Sequence, residues 1–131
     1  MAFPAHALPF AGALFLLITL LAMNVTRLRV GVRVTLGDGG DQRLGRAIRA
    51  HGNALEHGLL LSVALVLAEA TGLSAARVVG LGWAILIARL VHAAGFLRLG
   101  TRVVQAAMVV TYAMELWLSV YLLSRAFHSG P

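Results

Sequence analysis

Cysteine is absent from the 131 residues, and every one of the eleven basic residues is arginine. Without a thiol the chain has no disulfide framework, no thiolate metal site and no cysteine nucleophile of its own, so thiol chemistry has to arrive with a ligand. No metal site is expected. Charge is scarce: 12% of residues are charged, with five carboxylates against eleven arginines, for a net charge of +6. The arginines are scattered between and inside apolar segments rather than gathered into a patch, which argues against a nucleic-acid partner. Residues 1–26 hold no charged side chain. The basic start of a cleavable signal peptide is therefore missing, the apolar stretch is too long for the core of one, and a retained membrane span is expected.

What remains is apolar. Hydrophobic residues make up 60% of the chain, which suits a bilayer better than water. The length allows one domain, taken as residues 1–131. Four stretches approach the roughly 20 residues that cross a bilayer: 8–26, 45–70, 75–97 and 103–125. Between them lie "LGDGGD" (36–41), "TGLS" (71–74) with a Gly72 stop and a Ser74 N-cap, and "LGT" (99–101), where Gly100 and Thr101 repeat that pattern. The expected fold class is all-α, a multi-pass integral membrane four-helix bundle in contact with the lipid bilayer. Arg27, Arg29, Arg33, Arg43 and Arg46 flank the first loop, and Arg98 and Arg102 the third, against Arg77 and Arg125 on the opposite side. The positive-inside bias then puts both termini on the non-cytoplasmic side.

The second span is unusual because "GRAIRAHGNALEHG" (45–58) carries polarity into it, and its purely apolar part, Gly58 to Ala68, is too short to span alone. At the helical repeat Arg46, Arg49, Asn53, Glu56 and His57 fall within one arc of about 100°, whereas His51 points away. That arc needs shielding by protein. Ala50, Ala54 and Gly58 have a small-xxx-small spacing that lets another backbone approach, and Gly80, Gly82, Ala84 and Ala88 repeat the theme on the third span.

Arg49, Glu56, Arg89, His92 and Glu115 are expected deepest, where an unpaired ionisable group costs several kcal/mol and marks a functional site. The bland reading is an interhelical network, for example Glu56 with Arg89. Against it, arginines outnumber carboxylates, so positive charge survives pairing and an anion is invited. Arg29 and Arg33 read as topology signals, and Arg27, nearest the hydrocarbon, as a ligand contact. His51 and His57 can be packing histidines, while Met23, Met108, Met114, Trp83 and Trp117 read as packing or interface residues. Tyr112, Glu115 and Ser119 form a polar stripe that fits a subunit contact as well as catalysis.

"RAIRAHGNALE" (46–56) strongly resembles the second-helix signature of the MAPEG family, the membrane-associated proteins in eicosanoid and glutathione metabolism. "RLR" (27–29), "ARLVH" (88–92) and Arg102 opening the fourth helix agree in order and spacing, and the "GDGG" turn is most similar to a bacterial inner-membrane branch. The resemblance implies a homotrimer with the second helices at its centre and glutathione as co-substrate between subunits, in a site open to the cytoplasm. Arg27, Arg49, Asn53, Glu56, His92 and Arg102 match family ligand or catalytic positions. Arginine forks suit the two glutathione carboxylates and a glutamate suits its ammonium, and the resemblance makes Arg102 the candidate catalytic residue that holds the thiolate, with nearby Arg98 the alternative. Each pKa unit of thiol activation needs about 1.4 kcal/mol. The thiolate would attack a lipophilic small-molecule electrophile or hydroperoxide arriving through the bilayer. Phe96 stands where several family enzymes have a ligand-contacting tyrosine, and Val103 where one branch has a serine. The expected function is a glutathione-dependent transferase or peroxidase. The alternative is a non-catalytic membrane protein of the same fold that binds a lipid or a partner; weaker alternatives are a haem anchor using His51, His57 or His92, and a proton-coupled exporter using Glu56.

Overall fold

The computed structural model describes residues 3–128, and among these no strand occurs. Four helices follow one another: α1 (Leu8–Val32), α2 (Gln42–Ala70), α3 (Ala75–Ala94), extended by a π-helical turn (Gly95–Leu99), and α4 (Thr101–His128). All four are long and apolar enough to cross a membrane, the third when its π turn is included. Short connections make neighbours antiparallel, so the end of α1, the start of α2, the π turn and the start of α4 share one end of the bundle.

The first span is longer than expected. Instead of stopping at Thr26, α1 continues through Arg27 and Arg29 to Val32. Cations in a last helical turn suit the negative end of the helix dipole, and long arginine side chains reach past the apolar zone, so charge does not end the helix here. It stops at Arg33, which adopts a left-handed conformation (φ 57°). The amide of Val34 donates to the Arg29 carbonyl at 3.1 Å. The loop beyond is tied by Arg29, whose Nη1 donates to the carbonyls of Thr35 (3.1 Å) and Gly37 (2.8 Å). Asp41 then caps α2, its carboxylate accepting the Leu44 amide at 2.7 Å.

Small residues let the helices close up. Ala50, Ala54 and Gly58 are all buried. Ala50 and Ala54 pack with Leu21 of α1, and a Cβ added at Gly58 would touch Ile18 of α1 at 3.4 Å. The small-residue spacing on α2 therefore serves contact within the chain. On α3 the ring of Phe10 occupies the space that a side chain at Gly82 would need, and it meets Trp83 edge-on at 5.5 Å. Gly80 faces open space instead. Phe10, Leu14, Leu61, Leu65, Ile85 and Leu118 form the main core. In lipid such a core holds by close packing rather than by escape from water, which is why small residues at the crossings matter.

The opposite end is fastened by Glu69. Its carboxylate accepts the backbone amides of His6 (3.1 Å) and Ala7 (2.7 Å), while His6 Nδ1 lies 2.7 Å away. Ala7 precedes α1 and has no capping side chain of its own. A carboxylate from the last turn of α2 thus caps α1 in its place, satisfying orphan amides at the positive end of that helix. Gly72, at φ 102°, turns the chain between α2 and α3. Ser74 takes the N-cap backbone position of α3 but makes no side-chain capping bond.

Candidate functional site

Midway along the helices, polar side chains from α2, α3 and α4 meet. Arg89 is the centre, with only 1% of its surface exposed. Its Nη1 donates to Asn53 Oδ1 at 2.9 Å, and its Nη2 reaches Thr111 Oγ1 and, at 3.8 Å, the Met108 sulfur. The Thr111 hydroxyl donates onward to the Ala107 carbonyl at 2.8 Å. Since guanidinium is donor-only, the Asn53 amide oxygen must face it, and the amide nitrogen keeps its donor capacity. Next to this layer His57 Nδ1 lies 2.6 Å from Glu115 Oε1, and the His57 ring meets Tyr112 edge-on at 5.5 Å. His92 is 2% exposed, with its ring against Phe96 at 5.0 Å. Two buried atoms, Arg89 Nε and His92 Nε2, have no hydrogen-bond partner.

At the arginine-rich end two clefts lie side by side. The first, of about 340 Å³, is lined by Asn24, Arg27, Leu28, Gln42, Arg43, Arg46, Leu97 and Arg98. The second, of about 320 Å³, is lined by Arg46, Arg49, Gly95, Phe96, Arg98, Gly100, Thr101 and Val104. Both are of a size used by small ligands. The π turn makes the second possible: a Cβ at Gly95 would come within 2.8 Å of the Val104 side chain and 3.1 Å of its backbone nitrogen. Glycine there lets the turn lie directly on α4. Among the described residues no carboxylate comes within ion-pair distance of an arginine at this end; the ion pairs found are His6 with Glu69 and His57 with Glu115. Asp38 accepts the Gly40 amide at 3.0 Å and Asp41 caps α2, so the nearest acids serve the backbone.

A surplus of guanidinium around clefts at one end of a four-span bundle is the setting in which the chain's kinship becomes informative. Residues 8–124 match the sequence profile of the MAPEG family. The chain belongs to the MAPEG family. It is also similar to the inner membrane protein YecN of Escherichia coli strain K12, with 40% identity over 81 residues. That match covers 62% of this chain and 62% of YecN. The protein of the same name from Escherichia coli O6:H1 strain CFT073 matches to the same extent. The chain thus spans about 62% of the length of the curated relatives it matches.

The positions singled out by the MAPEG resemblance do not all converge within one chain. Arg49 lines the second cleft and Arg27 the first, where Arg27 donates to Asn24 Oδ1 at 2.9 Å. Arg102 is exposed in the first turn of α4, beside Thr101 on the cleft wall, while Arg98 lines both clefts. Glu56 is exposed on the outer face of α2 and makes no ion pair with Arg89. The Glu56–Arg89 pair of the bland reading is therefore replaced by Asn53–Arg89, because Asn53 rather than Glu56 faces α3. His92 sits behind Phe96, which forms part of the second cleft. Within the Tyr112, Glu115 and Ser119 stripe, Glu115 contacts His57 of α2 and Tyr112 packs on the same ring, while Ser119 is exposed. Sequence reasoning missed three working residues, Arg29, Glu69 and Thr111. The first two act mainly on backbone carbonyls and amides, which leave no mark in a side-chain pattern, and Thr111 gains its role only when α4 packs against Arg89.

Proposed function

We propose that the protein is a glutathione-dependent transferase or peroxidase of the inner membrane, active as a homotrimer and acting on lipophilic electrophiles or hydroperoxides. The observation that carries this reading is the set of arginines around the second cleft with no carboxylate partner, next to an α2 face that offers Glu56. Glutathione brings two carboxylates and an ammonium, and these groups fit that donor set. Arg49 and Arg98 hold carboxylate by bidentate hydrogen bonds, the Asn53 amide nitrogen donates to a ligand oxygen, and Glu56 takes the ammonium. Arg102 holds the sulfur as thiolate, with Arg98 on the cleft wall as its neighbour. Bound glutathione supplies the nucleophilic sulfur; the protein supplies charge, orientation and an apolar approach for the second substrate.

A second copy of the chain belongs to this reading. Arg27 and Arg49 line different clefts, so Arg27 reaches a ligand held by Arg49 when it comes from a neighbouring subunit. The outer face of α2 leaves Leu55, Leu59, Leu60, Val63 and Leu67 exposed beside Arg49 and Glu56, which suits a central seam between subunits. The arginine-rich end lies in the cytoplasm by the positive-inside bias, which places both termini on the other side.

The test is thermal stability in detergent with and without glutathione, together with the ultraviolet absorbance of the thiolate. Wild type is protected and shows the thiolate band; Arg49→Ala loses protection; Arg102→Ala loses mainly the band. If wild type gains neither protection nor band, glutathione is not the ligand. If both variants behave as wild type, the residue roles are wrong.

A further inference from the structure

We propose that the first cleft is a site for a phosphate anion, carried by an anionic lipid headgroup or free in solution. This goes beyond the glutathione reading and does not need it; the cleft shares Arg46 and Arg98 with the second, and Arg27 serves a neighbour's ligand in that reading, so Arg43, found only in the first cleft, tells the two apart. Arg27, Arg43, Arg46 and Arg98 line this cleft together with two side-chain amides and no carboxylate. Glutathione is the poorer fit because its ammonium finds no carboxylate in the first cleft, only the amide oxygens of Asn24 and Gln42, and Asn24 Oδ1 already accepts from Arg27; Glu56, which could serve, is on the outer face of α2. A phosphate has no cation to place. It accepts forked hydrogen bonds from several guanidiniums at once, the geometry that distinguishes arginine from lysine.

Position adds a second argument. The cleft is formed where α1 ends and α2 begins, at one end of helices long enough to span a bilayer, the end that headgroups would meet. Leu28 and Leu97 form its apolar wall, and Val30 (74% exposed) and Leu99 (61% exposed) stand open at the same end. Apolar side chains beside an unneutralised guanidinium cluster match a molecule with a phosphate and acyl chains. The acids that might have filled the cleft are held elsewhere: Asp38 by the Gly40 amide and Asp41 by the Leu44 amide.

Arg43 lines only the first cleft and Arg49 only the second, which lets the two sites be separated. Arg43 is exposed and makes no hydrogen bond or ion pair among the described residues, so Arg43→Gln should fold with an unchanged unliganded melting point. Wild type, Arg43→Gln and Arg49→Gln, purified in an uncharged detergent, are titrated with short-chain phosphatidylglycerol, phosphatidylcholine of equal chain length, inorganic phosphate and glutathione. Melting is followed by tryptophan fluorescence. Phosphatidylglycerol should raise the melting point of wild type and Arg49→Gln, with about tenfold more needed for Arg43→Gln, the loss of one charge-assisted hydrogen bond. Phosphatidylcholine should do little, because the arginines repel its choline. Protection by phosphatidylglycerol alone places the phosphate in the bilayer; equal protection by inorganic phosphate places it in solution, and the site stands in both cases. Equal protection by phosphatidylcholine, or a wild-type response from Arg43→Gln, overturns the proposal. A wild type that responds to phosphatidylglycerol and not to glutathione keeps this site and sinks the glutathione reading.

Discussion

The two ends of the bundle use charge in opposite ways. At the end where α1 begins, a single carboxylate, Glu69, is saturated by two backbone amides and the His6 ring, and Arg125 Nε donates to the Thr71 carbonyl at 3.0 Å. Each of these contacts ties one chain segment to another. At the other end none of the arginines contacts a carboxylate among the described residues, and the acids nearby bond to backbone. One end is built for holding and the other for receiving. A net charge of +6 is therefore not spread evenly in its consequences, and stability and ligand response should respond to mutations at different ends.

The largest effect should follow from removing Glu69. Glu69→Ala leaves the His6 and Ala7 amides without their acceptor in a largely buried setting, and each lost partner costs about 1–3 kcal/mol. Equilibrium unfolding in detergent should show a loss of roughly 2–4 kcal/mol, with Glu69→Gln losing less because one oxygen remains to accept. Glutathione protection, measured as a shift from each variant's own melting point, should persist. If Glu69→Ala unfolds as wild type does, this end is not held as its hydrogen bonds imply.

Arg29 is the exception at the receiving end, since it donates to two loop carbonyls. Arg29→Ala should lower stability by about 1 kcal/mol, the net worth of such hydrogen bonds near water. Faster amide exchange should be confined to the loop of residues 33–41. An equal loss on Arg43→Ala would erase the difference between a structural arginine and a receiving one.

These residues also mark how far the sequence can be read. Spans and turns were legible because apolar length and glycine position are local properties: Gly72 and Gly100 stand at positive φ where the turns were expected. The extent of α1 was not, because an arginine near a helix end reads as a boundary although the helix tolerates it. The polar face of α2 was legible as a face. Its division was hidden: Asn53 faces Arg89 while Glu56 stays outside, a matter of helix rotation against α3 that only packing settles. Glu69 lies 62 residues from the amide of Ala7, and no periodicity connects them. The π turn was missed because Gly95 matters through its contact with Val104, across a connection rather than along a helix.

The smallest expected effect sharpens the comparison most, because only one end should produce it. Unneutralised arginines within a Debye length of one another, about 10 Å at 0.1 M salt, repel and weaken the unliganded fold. Sodium chloride should therefore stabilise the unliganded protein slightly, by a few tenths of a kcal/mol, read as a small rise in melting point. Arg46, like Arg98, lines both clefts and so has guanidinium neighbours in each, and Arg46→Gln should flatten this rise. Glu69→Gln should leave it intact, since Glu69 is held by short hydrogen bonds in a mostly buried place where salt screens little. A melting point that falls with salt would mean that ion pairs hold the arginine-rich end after all, and its readiness for an anion would lose its physical basis.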